Sequence, residues 1–459
     1  MRWLALGMLI FAAEMNSCGP DRYMSAAPDG TVYYCNPQKE LYRVAPDLSR
    51  AERIGGAPIA GLYLPGGFIC AEVSPDGTKL LCLREDKFRL LSVEPTGGTT
   101  SSSSAPDVPK GVGLPEVLAG TEIPLGNVPP PPVAESGETA EVTSYSAAIC
   151  SLDGIVERTI WLLDEPGGTL DLSSAPRWSP DGSKVSFVWT DKAKESRKLQ
   201  VFDLAADESI EPDESVGAYA WAPDSGAIAA VEQESGPNGA ALSGVATIGL
   251  LHIAPGASQL PEQPALSTDT AENAPAANAK SETTPLAAAF ILGGESLAWP
   301  AQGSPILFPS AELSFPLEIA PYQSGEKEIP YAVYAVDTAT RKMSKVNLPS
   351  DAGKTTFLRA SPDGKRILYD DGKGNFYVSS PDGGNSVKVA SEVAGHLDAM
   401  LPIWAGNTKI AYASKDQNST VRLFVAEIGG STTEITDIIK AAEEKAKGAE
   451  KALSTDSGK

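Results

Sequence analysis

WSPDGSKVSFVW, residues Trp178–Trp189, reads as the end of one strand, a tight turn and a second strand. Pro180 fixes φ at the first turn position, Asp181 bonds its own backbone, and Gly182 supplies the positive φ that reverses the chain. After the turn, Val185, Phe187 and Trp189 alternate with Lys184 and Ser186, the period of a half-buried strand.

The same hairpin returns along the chain. It occurs at Ala27-Pro28-Asp29-Gly30 before TVYYC, at Ser74-Pro75-Asp76-Gly77 before TKLLCL, and at Pro223-Asp224-Ser225-Gly226 before AIAAV. A degenerate copy is Trp299-Pro300-Ala301-Gln302-Gly303 with SPILF. Ser361-Pro362-Asp363-Gly364 with KRILY and Trp404-Ala405-Gly406-Asn407 with TKIAYAS follow. Trp178, Trp221, Trp299 and Trp404 stand immediately before their turns, so they are equivalent positions, expected to be buried where neighbouring units meet. Asp76, Asp181 and Asp363 mark the same position in three turns and are read as structural, each serving its own turn.

A further strand follows each hairpin: ELYRVAP (40–46), FRLLSVEP (88–95), KLQVFDL (198–204), TIGLLHIAP (247–255), YAVYAVD (331–337), NFYVSSPDGG (375–384) and VRLFVAEIGG (421–430). The spacings from Ala26 to Val73, Trp178 to Trp221 and Ala360 to Trp404 are all about forty-odd residues, the repeat length of a propeller blade with several short strands. The expected fold is all-β: a single β-propeller of about seven four-stranded blades over residues 21–432, with eight left open by SYSAAICSLDGIVERTIWLLD, which either completes the second blade or adds one. Residues 97–141 and 256–285, rich in Ser, Pro, Gly and Thr, read as disordered loop insertions. The tail, 433–459, reads as a short helix from Thr436 with Ile435, Ile438, Ile439 and Ala442 on one face.

The Ser-Pro-Asp-Gly turn after an apolar or Trp position, followed by a β-rich strand and a strand ending in Asp-x-Gly-Gly, resembles the TolB-type relatives of WD-repeat propellers. The resemblance is strongest at 73–98, 178–205 and 360–390. It implies the fold and no particular activity. TolB carries a separate N-terminal α/β domain; about eight residues between Cys18 and the first hairpin leave no place for one, so a Tol–Pal-type role is not expected.

Residues 1–18, MRWLALGMLIFAAEMNSC, resemble an export signal: Arg2 is the positive region, and Trp3 to Ala13 form an apolar run too short to span a bilayer. Cys18 sits where a bacterial lipoprotein signal places its lipidated cysteine, and is the candidate lipid anchor. The other cysteines, Cys35, Cys70, Cys82 and Cys150, form no C-x-x-C and no metal-like cluster. Cys70 and Cys82 flank a turn almost symmetrically, so they are read either as a candidate disulfide or as two small buried hydrophobes facing one another.

The chain is acidic, with a net charge of −22, which disfavours nucleic acid and anionic membrane surfaces as partners. Catalytic patterns are sparse. There are two histidines, His252 inside an apolar strand and His396 in a loop, and the nearest approach to a nucleophile elbow is Gly294-Glu295-Ser296-Leu297-Ala298, without the final glycine. Asp370-Asp371-Gly372-Lys373-Gly374-Asn375 fails the calcium-loop spacing and reads as a hairpin turn. No catalytic residue, cofactor or metal ligand is therefore assigned. The expected function is an exported, non-catalytic, monomeric propeller that binds an envelope or extracellular protein. It would be periplasmic or anchored to the outer membrane, touching the membrane only through a lipid anchor. The alternative is a carbohydrate-binding or glycan-active propeller with a carboxylate site at the channel mouth.

Overall fold

The computed structural model describes residues 23–54, 67–89, 141–163, 168–171, 176–191, 196–210, 216–232, 246–253, 283–289, 297–311, 331–349, 355, 357–391, 402–415, 418 and 420–456. Seven antiparallel sheets follow one another along the chain, each cut from one continuous stretch. Blade 1 runs Tyr23–Ala26, Val32–Cys35, Leu41–Val44 and Ala51–Ile54, from the inner strand outward. Blade 2 is Gly67–Val73, Lys79–Arg89, Glu141–Ser151 and Val156–Leu163. In blade 3 two segments, Gly168–Asp171 and Arg177–Trp178, share the inner position against Lys184–Asp191, followed by Ser196–Asp203 and Glu208–Ile210. Blades 4, 6 and 7 have four strands each, spanning 216–289, 358–390 and 403–434. Blade 5 has three strands between 306 and 345, and its inner position is held by Ala298, bridged to Leu307.

The packing of apolar side chains makes these sheets a closed circle. One cluster joins blades 1, 2 and 3 through Tyr33, Leu81 and Phe187. Others join blade 3 to 4 (Val188 with Trp221), 4 to 5 (Ala220 with Phe308), 5 to 6 (Val333 with Tyr369) and 6 to 7 (Phe376 with Tyr412). The last joins blade 7 back to blade 1, Val425 with Tyr42. The short strands and strict alternation produce this arrangement, because each sheet presents two apolar faces and needs a neighbour on both sides. The molecule is a seven-bladed β-propeller, and SYSAAICSLDGIVERTIWLLD supplies the outer half of blade 2.

Among the described residues no strand is exchanged between the first and last blades: the strands of blade 1 are all N-terminal and those of blade 7 all C-terminal. A helix closes the seam instead. Helix α1, Thr436–Asp456, starts where the last strand ends, with the Thr436 hydroxyl accepting the Leu423 amide at 2.9 Å. Ile435, Ile439 and Ala442 are buried in the cluster that blades 1 and 7 share, with Ile438 partly buried beside them. Asn36 of blade 1 donates to Glu443 at 3.2 Å. The apolar face expected from the sequence is thus the face that clasps the seam.

Two readings are corrected. FRLLSVEP is not the third strand of blade 2: Phe88 and Arg89 end the second strand, and its partner is Glu141–Ser151, paired from Arg89↔Glu141 to Lys79↔Ser151. Thr283, Thr284 and Pro285, placed in an insertion by composition, open the outer strand of blade 4, Thr283–Ala289. Glu141, placed at the end of the other insertion, opens the third strand of blade 2, and the insertions otherwise lie outside the described residues. Because Arg89 and Glu141 face each other across the ladder, the chain leaves and re-enters blade 2 at one point. Replacing 90–140 by a two-residue turn is expected to leave the melting temperature nearly unchanged, since only loop closure changes. Loss of cooperative unfolding in calorimetry would show that the stretch belongs to the fold.

Candidate functional site

The turns after the inner strands form a collar. In each Ser-Pro-Asp-Gly copy the serine hydroxyl donates to the aspartate: Ser74 to Asp76 at 2.6 Å, Ser179 to Asp181 at 2.7 Å, and Ser361 to Asp363 at 2.7 Å. The same carboxylates accept the amides of Thr78, Ser183 and Lys365, at 3.1, 2.9 and 3.1 Å. Asp29 and Asp224 take the amides of Thr31 and Gly226 in the same way. The aspartates bond within their own turns, as the sequence pattern implies.

Neighbouring turns also touch. The Asp181 amide of blade 3 donates to the Ser225 hydroxyl of blade 4 at 3.0 Å, and the Asp363 amide of blade 6 to Asn407 Oδ1 of blade 7 at 3.1 Å. Ser225 holds φ at 62° to do so, a left-handed conformation taken by glycine in most of the other turns. Gly77 packs against Pro28 of blade 1, Gly182 against Pro75 of blade 2, and Gly364 against the Pro300 carbonyl of blade 5.

The tryptophans are the second set of links. Trp178 Nε1 donates to the Glu72 carbonyl of blade 2 at 2.9 Å, and Trp404 Nε1 to the Arg359 carbonyl of blade 6 at 3.2 Å. Trp221 Nε1 donates to Ser186 Oγ at 2.8 Å, and that hydroxyl donates onward to the Arg177 carbonyl of blade 3 at 3.3 Å. Each indole thus reaches the preceding blade two residues before its turn serine, directly or through one hydroxyl. The Trp299 indole nitrogen is buried and has no hydrogen-bond partner among the described residues.

The side chains at that position are Glu72, Arg177 and Arg359 in the blades with a full Ser-Pro-Asp-Gly turn. Tyr23 of blade 1 donates its hydroxyl to Glu72 Oε2 at 2.8 Å. Burial, then the Glu72 charge, push the Tyr23 hydroxyl well above its ordinary pKa, with Arg359 opposing them. Blades 1 and 6 are not neighbours, so the Arg359 charge acts on Tyr23 from across the ring, through its field rather than through a bond. The Arg177 guanidinium lies over the Tyr219 ring, 5.6 Å from its centre. Sequence reasoning passed over this set. A charge at the same repeat position in three blades was the signal that could have found it.

The remaining candidates are placed as follows. Cys70 opposes Leu83 and Ala71 opposes Cys82, so Cys70 and Cys82 point to opposite faces of the sheet rather than toward each other. The register set at the turn, Val73↔Leu80, continues unbroken to Cys70↔Leu83, so the turn itself puts the two cysteines one residue out of step. Both are free thiols, as are Cys35 and Cys150. His252 ends its strand with its side chain exposed rather than packed. Asp370 and Asp371 are buried: Asp370 accepts the Phe357 and Gly372 amides, and Asp371 those of Lys373 and Asn375. That loop is a hairpin turn. Cys18, Ser296 and His396 lie outside the described residues. Among the described residues, no helix is long and apolar enough to cross a membrane.

Partial burial would raise the Asp181 pKa, but the hydroxyl of Ser179, the amide and hydroxyl of Ser183 and the hydroxyl of Ser225 outweigh it and hold it at about 2, against an ordinary 3.8. A carboxylate held low contributes its stability above the ordinary value and loses it as the pH falls through the folded value. The stability advantage of the native chain over Asp181→Ala is therefore expected to be full at about pH 5 and to fade between about pH 4 and pH 2. An advantage that persists undiminished in urea titrations at the lower pH would remove the collar bond as its source.

Seven sheets packed in a circle, a collar of turns and charged side chains on the inner strands define the class: a seven-bladed β-propeller. No protein-family profile matches the chain, and no curated protein does. Among solved structures it is similar to a protein described as "putative TolB" from Agrobacterium tumefaciens, at 15% identity and a TM-score of 0.36, over 61% of this chain and 83% of that one. It is similar to the β-propeller domain of the Trilobed protease from Pyrococcus furiosus, which has an open velcro topology (11% identity, TM-score 0.46, 92% and 98% covered). It is also similar to an oligogalacturonate lyase from Vibrio parahaemolyticus (11%, 0.48, 89% and 90%). None of these passes an activity to this chain.

Proposed function

We propose that this chain is an exported, non-catalytic propeller that serves as a protein-binding scaffold in the bacterial cell envelope. The observation that carries the reading is the collar. Its turn carboxylates bond to their own turns, and neighbouring turns are fixed to each other, which gives a rigid face defined by shape. The leader-like residues 1–18 support export, and the net charge of −22 favours a basic partner. Full-length protein used as bait in envelope extract is expected to retain one stoichiometric, basic protein, and to release it as salt rises. Retention of nothing at low salt would count against the scaffold.

A second reading is favoured by one observation, the Tyr23 hydroxyl set against the Glu72 carboxylate within the field of Arg359. A hydroxyl, a carboxylate and a guanidinium together suit a hydroxyl-rich ligand such as a glycan. Titration calorimetry with acidic and neutral oligosaccharides tests it. Heat that Glu72→Gln abolishes would favour a glycan site over a protein scaffold.

A further inference from the structure

The turn tryptophans Trp178, Trp221, Trp299 and Trp404 occupy one repeat position, yet they differ in the residue that stands opposite the carbonyl each one addresses. At the junctions of blades 2 with 3 and 6 with 7 that residue is leucine, Leu81 paired with Glu72 and Leu368 paired with Arg359, and the indole bonds the carbonyl directly. Between blades 3 and 4 it is Ser186, paired with Arg177, and its hydroxyl stands between indole and carbonyl. Between blades 4 and 5 it is Ala229, paired with Ala220. Alanine supplies neither the bulk of the leucines nor the oxygen of the serine.

A second oxygen differs at the same junction. Tyr219, two residues before Trp221, donates its hydroxyl to the Ser186 carbonyl at 3.1 Å. Its counterpart two residues before Trp299 is Leu297, which has no donor on its side chain. Ser186 thus receives two hydrogen bonds from blade 4, one at its hydroxyl and one at its carbonyl, whereas Leu297 and Trp299 give Ala229 neither. Trp299 nonetheless packs where the repeat puts it, against the buried cluster that holds Ala220, Ala229 and Leu297. Its indole nitrogen is buried there with no hydrogen-bond partner among the described residues. Alanine for serine and leucine for tyrosine also leave more room beside that nitrogen than Trp221 has.

We propose that the junction of blades 4 and 5 is a binding site for one buried water molecule, at the place that the Ser186 hydroxyl takes one junction earlier. The water accepts the Trp299 indole N–H. It donates one hydrogen to the Ala220 carbonyl, as the serine hydroxyl does to Arg177, and the other to the Ala229 carbonyl, the counterpart of the one that Tyr219 bonds. Three polar partners are the usual complement of a buried water. Burying an indole N–H without a partner costs its full desolvation, and ordering one water molecule costs less than that. The water is a fixed part of the ring, whatever the propeller binds: it restores at this junction the link from indole to preceding blade that Trp178, Trp221 and Trp404 make with protein atoms alone.

Crystallography of the full chain, at a resolution that shows ordered solvent, tests this. The expected result is a single solvent peak within hydrogen-bond distance of Trp299 Nε1 and of the Ala220 and Ala229 carbonyl oxygens. In Ala229→Ser the new hydroxyl should take the place of that peak, and release of the water should raise the melting temperature by about 1–2 °C. A dry junction, a protein atom bonded to Trp299 Nε1, or a peak that survives Ala229→Ser would overturn the site. Nuclear magnetic resonance of the chain labelled with nitrogen-15 tryptophan checks it in solution. The Trp299 indole signal, identified by its loss in Trp299→Phe, should show a dipolar cross-peak to water that the carbonyl-bonded indoles of Trp178 and Trp404 lack, and its absence would overturn the site equally.

Discussion

Trp221→Ala is expected to destabilise the propeller by about 3–5 kcal/mol, the cost of emptying a packed indole site. Trp221 is 6% exposed and lies in the cluster joining blades 3 and 4, among Val188, Leu199, Tyr219 and Leu251. Its loss opens a void between two sheets that are themselves held by their neighbours, so the site cannot collapse freely. It also strips Ser186 of the indole donor in the relay to Arg177. Trp221→Phe separates the two contributions: the ring volume mostly survives and the hydrogen bond does not, so about 1 kcal/mol should remain lost. Denaturant unfolding of the three proteins checks this. A change below about 1 kcal/mol for the alanine variant would refute the inter-blade role of the turn tryptophans.

Gly364→Ala should cost about 2–5 kcal/mol, for two reasons that add. Gly364 holds φ at 67°, where an L side chain is strained, and a Cβ there would overlap the Pro300 carbonyl oxygen of blade 5. The obstacle is backbone, which cannot rotate aside. Gly303 is the internal control: its φ is 75° and nothing lies within 4 Å of the added carbon. Gly303→Ala therefore carries the conformational cost alone, about 1–2 kcal/mol. Equal losses at the two positions would mean that the turns are not fixed to one another at that junction.

These predictions were within partial reach of the sequence. The turns were legible because Pro, Asp and Gly each act locally, within four residues, and the tryptophans because they keep one distance from the turn. Helix α1 was legible because Ile435, Ile439 and Ala442 recur at helical spacing, although nothing in the tail says that blade 1 lies beneath them. The third strand of blade 2 was misread, since its true partner stands beyond 90–140 and pairing at that distance leaves no local mark. The cysteines failed for a smaller reason: the turn sets the register Val73↔Leu80, which runs unbroken to Cys70↔Leu83, so Cys70 and Cys82 are one residue out of step and lie on opposite faces. Tyr23, Glu72 and Arg359 were invisible as a group because they come from three blades, and only the closed circle brings them to one axis.

The seam between blades 1 and 7 bears on how the chain is made. With every sheet cut from a continuous stretch, most contacts are local or join consecutive repeats, and a nascent chain can fold blade by blade as it emerges. Only the last junction is long-range, and its clasp, α1, is synthesised after everything it fastens. Until then the first blade presents an uncovered apolar face and the growing arc has two ends. The ring is thus complete only when blade 7 is available and is clasped only by the helix after it, so a chain stopped short of Ile403 is an open arc with sticky edges, a substrate for proteases and chaperones rather than a smaller version of the same protein.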